Sequence, residues 1–167
     1  MNASTPRWDR SQARLSRGFT LIELMVTMVI AAILLSIAIP AYNLYVLKSH
    51  RTDAKSALVD LASLEERYIS TQNTYTSNPS QLGYTAGAVP FTVGSGYYQI
   101  NNITATLPIA PTSPTTAGTP ATYTISAIAI GTQVQDTACA TFTITSGGVQ
   151  TAATNGGVAN NAACWSQ

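Results

Sequence analysis

Charge is scarce in this sequence. Asp, Glu, Lys and Arg make up 9% of its 167 residues, against roughly 25% in an ordinary soluble domain. Seven of the eight basic residues are Arg7, Arg10, Arg14, Arg17, Lys48, Arg51 and Lys55, and the last is Arg67. From Tyr68 to Gln167 the only charge is Asp136, whereas that stretch holds 28 Ser and Thr. A surface polar through hydroxyls and amides cannot attract phosphate backbones by counterion release, which argues against a nucleic-acid partner. Any such contact would have to use Lys48, Arg51 and Lys55. Asp136 alone cannot build a calcium loop. Histidine is scarcer still. His50 stands alone on the expected helix and reads as a surface residue. No Ser/His/Asp grouping, carboxylate pair or glycine-rich phosphate loop accompanies it, so the chain reads as neither enzyme nor cofactor binder. Two cysteines and one distant histidine fall short of the four ligands of a structural zinc site.

Glycine is absent from Phe19 to Ser77, and Pro40 is the only proline there. That stretch can be one helix. Leu24–Ala41 is interrupted only by Thr27 and Ser36, and eighteen helical residues rise about 27 Å, close to the thickness of a bilayer core. The arginines on its N-terminal side predict a cytoplasmic N-terminus. An ordinary signal peptide would carry a small-residue cleavage site after the apolar run. Tyr42, Asn43, Leu44 and Tyr45 offer none, so the run is expected to stay in the product. Pro40 removes a donor to the carbonyl of Ser36 and should kink or loosen the helix. Beyond it, Ala54, Leu58, Leu61, Leu64 and Tyr68 form one apolar stripe. Most of the charges, Arg51 and Glu65 among them, are assigned to the opposite or flanking faces.

After the helix the chain is read as a loop over 75–96. Four strands follow, at Tyr97–Ile103, Ala121–Ala129, Ala138–Thr145 and Val149–Ala152. The last two are joined by Ser-Gly-Gly, which suits a hairpin. Tyr97 and Tyr98 should divide between surface and core, and Trp165 should pack over its neighbour Cys164. The fold class is α+β, a long N-terminal helix packed on a four-stranded antiparallel sheet. Cys139 and Cys164 read as one disulfide of an oxidising compartment, with two unrelated buried thiols as the alternative. A disulfide there would close a loop of roughly 25 residues, worth about 3 kcal/mol.

The string RGFTLIELMVTMVIAAILLSIAIP, Arg17 to Pro40, orders a basic leader, glycine, Phe, a short gap, Glu and a long apolar run. It resembles the class III signal of type IV pilins and of the pseudopilins of type II secretion. Asp136 to Trp165 further resembles the C-terminal end of PilE-type minor pilins. The resemblance implies four segments. These are a leader over 1–18, a transmembrane and filament-core half-helix over 19–47, an amphipathic half over 48–74, and a loop, sheet and disulfide-bounded region over 75–167. It also implies cleavage between Gly18 and Phe19 by a prepilin peptidase, with N-methylation of Phe19. Glu23 would then pair with the new α-amino group during assembly, and Pro40 would mark where the helix loosens in filaments. Glu23 has a second reading, since Thr20-x-x-Glu23 spells a capping box. The implied partners are other pilin subunits, the peptidase, the inner-membrane assembly platform and the membrane itself through residues 24–41. The implied location is the inner membrane first and a pilus afterwards. A minor or priming pilin serving pilus biogenesis, motility or adhesion is the leading expectation. A secretion pseudopilin and a competence pilin for DNA uptake are the alternatives.

Overall fold

The computed structural model describes residues 18–110 and 118–166. The leader up to Arg17 and the centre of the proline-rich 108–120 connection lie outside the described residues. By internal contacts the chain forms two units, the first ending at Pro40 and the second beginning at Ala41. Helix α1, Leu21–Gln72, carries Pro40 in its interior, and the helical assignment runs through it.

In the first unit α1 is a single helix with its apolar side chains exposed, Leu21, Met28 and Ile37 among them. It is long and apolar enough to cross a membrane. Thr27 and Ser36 do not interrupt it, because each hydroxyl donates to a carbonyl three residues back, Leu24 O at 2.9 Å and Ile33 O at 2.7 Å.

In the second unit α1 buries Arg51, Ala54, Leu58, Leu61 and Glu65 at alternating spacings of three and four. Asn73 ends it in the left-handed region, with φ 56°, a conformation Asn tolerates at helix ends. The sheet is an antiparallel meander of five strands in sequence order. They are β1 (Phe91–Val93), β2 (Tyr98–Thr106), β3 (Thr122–Ala129), β4 (Thr141–Thr145) and β5 (Gln150–Ala153). The expected sheet had four strands, and the 75–96 segment was expected to be loop throughout. In fact it holds a short 3₁₀ turn at Pro79–Leu82 as well as β1. Strand β1 escapes a pattern reading because three residues among Gly and Pro show no period. Gly94 then turns the chain back at φ 54°, so close to α1 that a Cβ would lie 2.5 Å from Asp53 Cγ.

Strict alternation along β2 would bury residues 98, 100 and 102. A bulge between Ile100 and Asn102 resets the phase, so that Ile103 goes inward and Asn102 outward. The core packs Leu58 and Leu61 of α1 with Tyr98, Ile100, Ile125, Phe142 and Ile144 of the sheet. Tyr98 is the buried member of the tyrosine pair and Tyr97 the half-buried one. Leu58→Ala is expected to destabilise this unit by about 2–5 kcal/mol, measured by urea unfolding of the full chain in detergent. A change under about 1 kcal/mol would mean that the site collapses around the void. The short helix α2, Asn161–Trp165, closes the described chain beside β5.

Candidate functional site

Gly18 and Phe19 precede α1 and are exposed, Phe19 by 80%. Thr20 caps the helix, accepting from the backbone N–H of Glu23 at 3.2 Å. That is one half of a capping box. The Glu23 carboxylate itself, on the exposed first turn, has no ion-pair or hydrogen-bond partner among the described residues. The structure therefore places Gly18, Phe19 and the acid together at one accessible helix start.

The second constellation was not foreseen. Arg51, expected on an outer face, is buried, because it occupies the apolar stripe one turn before Ala54. Its guanidinium grips Asp136 with two bonds, Nε to Oδ2 at 2.7 Å and Nη2 to Oδ1 at 2.9 Å. A third bond runs from Nη1 to the carbonyl of Ala163 at 3.2 Å. Such a bidentate, buried pair fixes position as well as charge. It also removes Arg51 from any list of cations available to DNA.

Gln133 is fully buried beside this pair. Its amide nitrogen donates to Leu47 O at 2.9 Å, to the Tyr98 hydroxyl at 3.2 Å and to Asp136 Oδ2 at 3.3 Å. Two of those partners can only accept, which fixes the amide orientation and leaves Oε1 as the acceptor for His50 Nδ1, 3.0 Å away. Neutral His50 is thereby held as the Nδ1–H tautomer. Its ring stacks on Tyr97 with centroids 3.7 Å apart. It is a half-buried, engaged residue and not the free surface residue expected. Tyr98 donates in turn to Cys139 O at 3.0 Å, and burial, together with the Asp136 charge, pushes its phenol up to about 12.

Cys139 and Cys164 are joined and buried. Around them α2 is tied down at several points. Trp165 Nε1 donates to Thr151 O at 2.8 Å and its ring meets Phe142 edge-on, with centroids 5.6 Å apart. Lys55 Nζ reaches Trp165 O at 3.4 Å. Burial, and then the neighbouring Arg51 charge, lower the Lys55 pKa. The network thus locks the C-terminal segment to α1.

Solvent-facing positions of the sheet carry Asn102, Thr104, Thr122, Thr124, Ser126, Thr141 and Thr143. Among the described residues no strand contains a charged residue. Exposed cations in the second unit are Lys48 and Arg67.

Residues 40–143, well over half of the chain, match the family model described as type IV minor pilin ComP, DNA uptake sequence receptor. Residues 13–39 match the prokaryotic N-terminal methylation motif. Over 69 residues the chain is 35% identical to the type IV major pilin protein PilA of Myxococcus xanthus (strain DK1622). That match covers 41% of this chain and 31% of the relative, so the chain aligns with about a third of the relative's length.

Proposed function

Because the chain belongs to the type IV pilin family, we propose that it is a minor pilin, built into a pilus through its N-terminal helix and serving DNA uptake. The observation that carries the reading is the match of residues 40–143 to a minor-pilin family described as a DNA uptake receptor. Members of the family are structural subunits. Composition alone ranks DNA uptake behind motility and adhesion, and the family match supports placing it first.

In this reading a prepilin peptidase at the inner membrane cuts between Gly18 and Phe19 and methylates the new terminus. The apolar run 24–41 holds the subunit in the inner membrane until the assembly platform passes it into the filament. There its exposed side chains exchange lipid for the helices of other subunits. Both surroundings are apolar, so the transfer forfeits little of the hydrophobic stabilisation.

The physics limits how DNA could be held. Beyond Arg67 the only charge is Asp136, and it is spent on Arg51. Lys48 and Arg67, both on α1, are the exposed cations among the described residues of the second unit, so the contact would lean on hydroxyls, amides and backbone N–H groups. Sheared filaments carrying this subunit should capture duplex DNA with a log–log salt slope no steeper than about −2. Deleting the subunit should leave fibres on the cell while uptake of labelled DNA falls by roughly tenfold or more. Normal uptake in the deletion strain would sink the DNA role and leave only the filament role. A capture slope near −6 would mean that the cations come from another subunit.

A further inference from the structure

Glu65 lies on the buried stripe of α1, with its residue fully inaccessible. One carboxylate oxygen, Oε2, accepts from the backbone N–H of Thr76 at 3.1 Å. The other, Oε1, is buried with no hydrogen-bond partner among the described residues. A carboxylate left so is costly, and the cost falls chiefly on its charged form.

Thr76 is in turn the knot of the segment that follows α1. Its hydroxyl donates to Gln81 Oε1 and accepts from the backbone N–H of Asn78 at 3.1 Å. Gln81 Oε1 also accepts from the Tyr68 hydroxyl at 3.3 Å. Asn78 caps the 3₁₀ turn by accepting from Ser80 N at 3.0 Å, and that turn buries Pro79 and Leu82. Thr76 is thus one anchor of the segment 73–84 on α1, beside Tyr75 on Glu66 at 3.1 Å and Tyr84 on Asp60 at 2.8 Å.

We propose that Glu65 and Thr76 form a pH-sensitive latch, closed while Glu65 is a neutral acid and released, with the segment 73–84, when Glu65 ionises. The groups facing Glu65 are Glu66 on α1, Tyr75 in the segment itself and Tyr123 on β3. Tyr75 stacks edge-on against Tyr123, centroids 4.7 Å apart, and donates to Glu66 Oε1 at 3.1 Å. Burial raises both phenols, Tyr123 to about 12, so neither ionises in the working range. Burial likewise raises the pKa of Glu65 above the ordinary 4.5, and the Glu66 charge adds to this against the opposing Thr76 hydrogen bond.

The sign follows from linkage. An acid whose pKa is raised in the closed form contributes fully below its open-form value, near 4.5. That contribution is lost as pH rises through the closed-form value, and opening grows about tenfold per pH unit between the two. Hydrogen–deuterium exchange by mass spectrometry on the full chain in detergent, from pH 4 to 8, reads this directly. After correction for intrinsic exchange, protection of a peptide spanning 73–84 should fall with pH relative to one from β3. Glu65→Gln should make that protection independent of pH. Glu66→Gln, which leaves the latch residues intact, should move the fall to lower pH. Flat protection in the wild-type chain, a Glu65→Gln chain that follows the wild type, or an unmoved Glu66→Gln curve would each overturn the latch.

Discussion

Replacing Glu23 with valine is expected to lower the amount of this subunit in sheared filaments by at least about tenfold, while the precursor is still cut. Glu23 is a lone acid at the head of an apolar helix, and among the described residues its carboxylate has no partner. Carrying a carboxylate towards bilayer or filament depth costs roughly 2.5–3.5 kcal/mol. Such a group persists only if something neutralises it. Cleavage after Gly18 would supply the neutraliser, a positive α-amino group at Phe19, four residues before the acid. Valine removes the unfavourable burial and the attraction together, so the subunit would sit comfortably in the membrane and be recruited poorly. Thr20→Ala separates this from simple helix capping. It removes the bond from the Glu23 N–H, costs the helix start about 1 kcal/mol, and should leave recruitment nearly unchanged. Immunoblots of sheared and membrane fractions read all three chains. Wild-type recruitment of the valine chain would dispose of the pairing idea, and loss with Thr20→Ala alone would favour capping.

The parts legible in the sequence are those written in local pattern. The apolar run, the glycine-free helix, the centres of strands β2 to β5 and the cysteine pair all rest on neighbours in the chain. Residues whose placement depends on distant partners were misread. Arg51 and Glu65 are charged, and charge ordinarily marks the wet face of a helix. Yet both fall on the stripe of Ala54, Leu58 and Leu61, and each meets a partner beyond its own helix, Asp136 for Arg51 and the Thr76 backbone N–H for Glu65. One signal was available for the first. A single charge in the last hundred residues, three positions before Cys139, is an odd residue to keep unless a buried cation needs it. His50 was misread for the same reason, since Gln133 and Tyr97 are 83 and 47 positions away. The methylation motif was legible because it is one contiguous string, matched over residues 13–39. What the exposed sheet touches follows no local rule.

The Arg51–Asp136 pair carries the largest expected stability effect in the second unit. Asp136→Asn keeps the shape and removes the charge, leaving a guanidinium buried with only the Ala163 carbonyl and a neutral amide to face. Breaking one side of a buried pair in this way costs about 3–5 kcal/mol. Loss of the disulfide, for comparison, is worth about 3 kcal/mol in the chain-entropy model. Urea unfolding of the full chain in detergent, with the disulfide intact, should show the Asn variant's midpoint well below that of the wild type. The double replacement Arg51→Met with Asp136→Leu removes both charges and fills the space with carbon. Desolvation then no longer opposes folding, and the double variant should lie within about 1.5 kcal/mol of the wild type, on either side. What it would lose is direction, because methionine cannot hold the Ala163 carbonyl. Amide exchange in α2 should therefore quicken in the double variant even where global stability recovers. If instead Asp136→Asn is nearly silent, the guanidinium has found water, and the pair is a surface contact and not a lock.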